Sequence, residues 1–375
     1  MIDLLIVFFI LLMLHYSYFI FSVYRGLNKI SNKENIVDKF VSVIIPFRNE
    51  EKNIIKCLKS IEEQEYDKNK YEIIFVDDGS SDRSIDLLNE NILTANVHLL
   101  SLNNFEGKRG HKKAAVKFGI ENAKGEIIIT TDADCTHGKE WLKSIVSSFS
   151  GNTAFVSGPV EFYNSDSLFG KLQKLEFAGL IITGAGLIGN KTPIICNGAN
   201  SAFRKHIFYE VGGYDDLMNL SSGEDELLMQ KIASKTNYDI KFCMNRKAVV
   251  KTAPMSSLKE FLNQRKRWAS KGLYYKNKLL IIKLILIFLF YLSIIAQILL
   301  GVFYNEIFLY TLLFTMLVKI TSEYFVLKKG ISLLFDKSIN NVFLLAEIMQ
   351  IPYIILSGLM GLFGNFRWKE RELER

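Results

Sequence analysis

Four stretches of the chain are apolar almost without interruption: 4–23, 284–304, 307–327 and 342–363. About 20 apolar residues in a helix cross about 30 Å of hydrocarbon, and each stretch is long enough. A fifth, 168–188, is apolar but interrupted by Gly, Lys and Glu. It is expected as a core helix or a helix lying in the membrane surface, and as a weaker span than the other four. From about Phe40 to Lys251 the pattern changes. Short β-rich runs (40–46, 71–77, 96–102, 126–132 and 153–159) alternate with stretches of helical spacing. One of these, 50–65, carries Ile54, Ile55, Leu58 and Ile61 on one face, and 81–91 and 112–122 read likewise. The alternation predicts an α/β fold with a doubly wound, mainly parallel sheet covered by helices on both sides.

The expected plan is an N-terminal transmembrane anchor (1–25), a catalytic-size domain (40–251), an amphipathic interfacial segment (252–280), about three C-terminal transmembrane helices (281–366) and a charged tail (367–375). The first stretch lacks a basic leader and a small-residue cleavage site, so it reads as an uncleaved anchor. Basic residues set the orientation. Arg25, Lys29, Lys33 and Lys39 follow the first stretch, and Arg265, Lys266, Arg267, Lys271, Lys276 and Lys278 precede the second. The positive-inside bias puts the middle of the chain in the cytoplasm, at a bacterial inner membrane. Four crossings would leave both termini outside, yet the tail carries Arg367, Lys369, Arg371 and Arg375. The last stretch, broken by Pro352, is therefore a candidate for re-entry rather than crossing.

The net charge of +7 lies largely beside the apolar stretches, which suits anionic lipid, and no nucleic-acid motif is present. Cys57, Cys135, Cys196 and Cys243 have no metal-ligand spacing and belong to a reducing compartment.

In a doubly wound sheet, ligands bind outside the carboxyl ends of the strands. Those ends here carry Pro46-Phe47-Arg48-Asn49-Glu50, Asp77-Asp78-Gly79-Ser80-Ser81-Asp82 and Asp132-Ala133-Asp134. Carboxylates gathered at one rim repel, so a cation or a donor-rich ligand is wanted there. Asp132 and Asp134 suit Mg²⁺ or Mn²⁺ next to a diphosphate. Asp82 is placed to cap a helix while Asp77 or Asp78 binds a base or ribose. Lys108, Arg109, Lys112 and Lys113 read mostly as a solvated basic loop, with one lysine near a helix start available to a diphosphate. Acids at Glu224–Glu226 suit a first helical turn. Gln264, Arg267 and Trp268 share a helix face, next to basic and aromatic residues suited to lipid headgroups. Lys319, Glu323 and Glu347 either line an acceptor path or, for the first two, form a self-satisfying i, i+4 pair.

Together and in order, PFRNE (46–50), VDDGSSD (76–82), TDAD (131–134), CNGANSAFRK (196–205), GED (223–225) and QRKRW (264–268) resemble the membrane-bound family-2 glycosyltransferases. That family includes cellulose, hyaluronan and poly-N-acetylglucosamine synthases and ceramide glucosyltransferase. The resemblance implies a GT-A-like domain and an inverting, metal-dependent transfer of a sugar from a nucleotide-sugar, by family habit a UDP-sugar. The acceptor would be a membrane lipid or a lipid-linked glycan. By position, Pro46, Glu50, Asp77, Asp78, Lys112 and Asp132 would bind the donor. Asp132 and Asp134 would hold the Mg²⁺ or Mn²⁺, and Asp225 would be the general base, with Gly223 where the family usually has Thr. Glu224, Gln264, Arg267 and Trp268 would hold diphosphate and acceptor. The other readings are a processive polysaccharide synthase, a catalytically silent scaffold or nucleotide sensor, and a transporter.

Overall fold

A computed structural model describes residues 2–31, 35, 38–102, 112–218, 223–270, 272, 275, 277–362, 366–368 and 371–373. The chain opens with helix α1 (Ile2–Leu27) and continues through β1 (Val41–Phe47), α2 (Ile54–Glu62), β2 (Tyr71–Asp77), α3 (Ser84–Asn91) and β3 (Val97–Ser101). Next come α4 (Lys112–Asn122), β4 (Ile127–Thr130), β5 (Thr136–His137), α5 (Trp141–Ser147), β6 (Thr153–Ser157) and β7 (Val160–Phe162). The long helix α6 (Leu168–Gly189) precedes β8 (Ser201–Arg204), α7 (Lys205–Glu210), α8 (Glu224–Lys235), β9 (Asp239–Phe242) and β10 (Val250–Thr252). Helices α9 (Leu258–Ser270), α10 (Lys278–Phe303), α11 (Ile307–Leu334) and α12 (Phe343–Leu362) complete it, with a tail of β11 (Phe366–Trp368) and β12 (Arg371–Leu373).

Seven strands form one sheet in the order β3-β2-β1-β4-β8-β6-β9. Strands β3, β2, β1 and β4 are parallel. Every residue of β1, β2, β4 and β6 is buried, as expected of strands covered on both faces. The chain lays down β1, β2 and β3 outward, then returns to place β4 on the other side of β1. The switch point between β1 and β4 is where a ligand crevice forms. Strand β8 is the exception to the parallel expectation, running antiparallel to both β4 and β6. Its reversal brings the residues before it, Asn197 and Gly198, to the rim where the parallel strands end.

Five helical runs are long and apolar enough to cross a membrane: α1, α6, α10, α11 and 337–361. In α6, 67% of the most apolar window is buried inside the protein, against 22–28% in the other four. It is the layer between the sheet and the remaining long helices. A Cβ built on Gly26 would lie 1.7 Å from the Gly186 carbonyl oxygen, so α1 and α6 cross backbone to backbone, as small residues allow. Lys29 Nζ and Ser22 Oγ both hydrogen-bond Asn190 beside that crossing.

Between α1, α10, α11 and α12, Lys319 Nζ pairs with Glu323 (2.8 Å) and Glu347 (2.5 Å) and donates to Gln350 Oε1. Tyr16 donates to Glu323 Oε1 at 2.6 Å and stacks on Phe290. Lys319 is wholly buried. The expected i, i+4 pair is present, and it is one arm of a sealed cluster.

Candidate active site

The loops leaving β1 and β2 are laced together. Arg48 Nη1 donates to the carbonyls of Asp78 and Gly79, both at 2.8 Å, and Asn49 Oδ1 accepts from the Ser81 N–H. Asp77 is fully buried, and its carboxylate accepts from the N–H groups of Gly79 and Ser80. It therefore holds the turn. Asp82 accepts from the Ser84 and Glu51 N–H groups and from the Ser84 hydroxyl. Burial opposes its ionisation, but these hydrogen bonds keep its carboxyl below the usual range. Pro46, Glu50 and Asp78 are buried in the same lacework.

Behind Asp132, His137 bridges Ser60 Oγ (2.9 Å) and Thr131 Oγ1 (2.8 Å) and packs on Trp141. Burial lowers its pKa to about 3, so the ring is a neutral strut. The buried Cys57 thiol is pushed up by burial and by the fields of Asp134, Asp132 and Glu50. Those three carboxylates thus share one neighbourhood at the β1–β4 switch point.

Next to them lies a cavity of about 320 Å³ whose lining includes Lys112, Asp132, Glu224, Asp225, Gln264, Arg267 and Trp268. Lys112, the first residue of α4, reaches Asp132 Oδ1 at 2.5 Å and Glu224 Oε1 at 2.9 Å. Burial disfavours its charge, but the two carboxylates raise its pKa well above the ordinary lysine value. Glu224 is likewise penalised by burial, yet Lys112 and Lys113 hold it at about 2. Lys113 is itself buried, so the expected solvated loop does not extend to it; Lys108 and Arg109 fall outside the described residues.

Gly223 caps the start of α8, and its φ of 86° is a left-handed conformation that suits glycine and strains threonine. That turn aims the first residues of α8 at the cavity. Asp225 stands over Gly198, where an added Cβ would come within 3.3 Å of Asp225 Oδ2. Among the described residues, no hydrogen bond or ion pair reaches the Asp225 carboxylate, although it lines the cavity. Arg267 faces the same space within the fields of Glu224, Asp132 and Asp225. Burial is the larger influence on its guanidinium and lowers its pKa.

The apolar wall of the cavity is formed by Phe162, Phe177, Leu180 and Ile181, the last three on α6. Trp268 stacks on Phe177, which stacks on Phe162. Sequence reasoning singled out neither this wall nor Tyr275, which lines the cavity and donates to Glu226. Tyr275 lies in the aromatic stretch after Trp268, a signal within reach. Three of the wall residues lie in 168–188, expected as a core or membrane-surface helix; which of its side chains face the cavity is set by tertiary packing. Pro46, Glu50, Asp77, Asp78 and Asp134 do not line this cavity; they flank it along the rim.

Residues 42–212 match the family described as glycosyl transferase family 2. That stretch is a family-2 glycosyltransferase domain. The family match stops before α8 and α9, which bring Asp225, Arg267 and Trp268 to the same cavity. Among curated proteins, the chain is 41% identical over 124 residues to glycosyltransferase AglE of Haloferax volcanii, covering 33% of this chain and 40% of that one. It is 35% identical over 137 residues to the undecaprenyl-phosphate 4-deoxy-4-formamido-L-arabinose transferase of Pectobacterium carotovorum, covering 36% and 40%. The chain thus spans about two fifths of the length of these relatives. Among solved structures, the mannosyltransferase PcManGT of Pyrobaculum calidifontis, in complex with GDP-Man and Mn²⁺, superposes with a TM-score of 0.57 at 18% identity. The match covers 96% of this chain and 99% of that one, so the family-2 domain shares the GT-A-type fold.

Proposed function

We propose that this chain transfers a sugar from a nucleotide-sugar, by family habit a UDP-sugar, to a lipid or lipid-linked glycan at the cytoplasmic membrane face. The observation that carries this reading is the division of the cavity. Part of its lining is charged, with Lys112, Asp132, Glu224, Asp225 and Arg267, and part belongs to a helix apolar enough to cross a membrane. A polar donor and an acceptor with an apolar part can meet there. A relative named for an undecaprenyl-phosphate acceptor supports the same choice. So does the sealed Lys319 cluster, which fills the space between helices that an exported polymer would need.

In this mechanism residues 40–251 supply the donor site, and α9 closes it. Asp225 takes the proton of the acceptor hydroxyl as its oxygen attacks the anomeric carbon. The bond from that carbon to the diphosphate breaks on the opposite face, so a single displacement inverts the configuration. Lys112 and Arg267 meet the charge that grows on the departing diphosphate, and Trp268 offers a face for a sugar to stack on.

Among the described residues no three His, Cys, Asp or Glu side chains are grouped to hold a metal by themselves. Two carboxylates at a strand end do fit an ion of the Mg²⁺ type, which takes its remaining ligands from phosphate and water. Asp132 and Asp134 would hold it, and it would supply positive charge to the diphosphate.

The test is release of nucleoside diphosphate from a panel of nucleotide-sugars by the detergent-purified full chain, with Mg²⁺ or Mn²⁺, with and without membrane lipid extract. Release from one donor, dependent on metal and stimulated by lipid, is the expected result. Folded protein that releases nothing from any donor would sink the reading.

A further inference from the structure

Arg265 is only 4% exposed, although Lys259 and Glu260 of the same helix face solvent. Its guanidinium pairs with Glu176 of α6, donates to Gln264 Oε1 at 3.2 Å, and lies 4.2 Å from the Trp268 ring and 4.7 Å from the Phe261 ring. The other oxygen of Glu176 accepts from the Tyr353 hydroxyl of α12 at 2.6 Å. A planar fork flanked by two rings fixes direction in a way an ammonium cannot. We propose that Arg265, Glu176 and Tyr353 are positioning residues that set the rotation of α9, and with it the aim of Gln264, Arg267 and Trp268 into the cavity. None of the three lines the cavity; they act through residues that do. Their kinetic consequence rests on the transferase reading above.

The test uses Arg265→Lys, Glu176→Gln and Tyr353→Phe in the full chain. The expected result is a loss in kcat of roughly 10- to 100-fold with a raised acceptor KM. Donor KM and Tm should stay close to those of the unaltered chain for Tyr353→Phe. A readout free of activity is the ¹⁹F spectrum of 5-fluorotryptophan protein, with the Trp268 resonance assigned through Trp268→Phe. That resonance should move in all three variants even if no donor is ever found. An unmoved resonance, or loss of kcat only in proportion to a lowered Tm, overturns the proposal.

A second inference stands on how α12 is placed against its neighbours. Tyr353 packs on Phe261, and a Cβ on Gly361 would meet Ala269. The two contacts are equally spaced on both helices, so α12 runs beside α9 in the same direction. Gly358 abuts Phe288, in the first half of α10, and the tail strand β11 also packs on α9. A crossing helix would instead have carried Gly361 to the far side, with the α10–α11 turn. We infer that α12 enters the bilayer and returns on the catalytic side, leaving three crossings and a cytoplasmic tail. This removes the conflict between four crossings and the basic residues Arg367, Lys369, Arg371 and Arg375. In a background with the four native cysteines replaced, Glu306→Cys, in the exposed α10–α11 turn, should react with a membrane-impermeant maleimide on intact cells. Arg375→Cys should react only after permeabilisation. Labelling of both from outside, or no labelling of Glu306→Cys, overturns the topology.

Discussion

Lys112 and Lys319 are each held between two carboxylates, at 2.5 and 2.9 Å in one case and 2.5 and 2.8 Å in the other. Locally the chemistry is the same. The surroundings differ: the Lys112 and Asp132 side chains keep 22% and 34% of their exposure, whereas Lys319 keeps none. Around Lys112, Asp225 and Arg267, whose side chains have no hydrogen-bond or ion-pair partner among the described residues, share a cavity, so in the proposed reaction a diphosphate would compete for the cation. Around Lys319 the partners come from two helices and Tyr16 closes the cluster from a third. A charged triad is therefore a site or a fastening according to what can reach it.

The sharpest break of this comparison is Asp225→Asn. It should lower transfer by about 10²- to 10⁴-fold while nucleoside diphosphate titration stays nearly unchanged; near-normal turnover would remove Asp225 from the role of base. Next, Lys319→Met should strand two buried carboxylates and destabilise the protein by about 3–5 kcal/mol, read as a lower Tm. Adding Glu347→Gln should recover part of that loss. Lys112→Met should weigh more on function than on stability, with transfer reduced by roughly 10²-fold and Tm lowered less than in Lys319→Met, because Asp132 keeps 34% of its exposure. A large drop in Tm for Lys112→Met would make the two clusters alike.

At neutral pH the smallest effect is expected at His137. Its folded pKa of about 3 lies below the ordinary 6.5, so between those values the unfolded chain binds the extra proton. Stability from this residue is complete above pH 6.5 and declines as pH falls toward 3. His137→Gln should therefore flatten the acid side of a Tm–pH profile, measured against the unaltered chain.

Much of the domain was legible because parallel strands buried on both faces leave unbroken apolar runs. The run 71–77 and the helix 112–122 coincide with β2 and α4. Helix α2 begins at Ile54 rather than at residue 50, because residues 48–51 are tied to the turn after β2. The reversal of β8 was not legible, since alternation of apolar residues carries no strand direction. The burial of α6 was half legible. Of the three charges that interrupt it, Lys171 is exposed, while Lys174 and Glu176 pair with Glu161 and Arg265 of neighbouring elements. Those partners are remote in sequence, so spacing rules could not find them. Gln264, Arg267 and Trp268 share a helix face in sequence and one cavity in space, so periodicity grouped them, whereas Glu224 reaches the same cavity from α8.

The contact of Gly26 with Gly186 has a mechanical consequence. The last turn of the anchor helix touches the helix whose earlier turns form the cavity wall, so the domain is not moored on a slack tether. Its opening is held at one altitude above the hydrocarbon. In the proposed reaction an acceptor would then be sorted by depth before it is sorted by chemistry: a hydroxyl standing far out in water would be as unreachable as one sunk among the acyl chains.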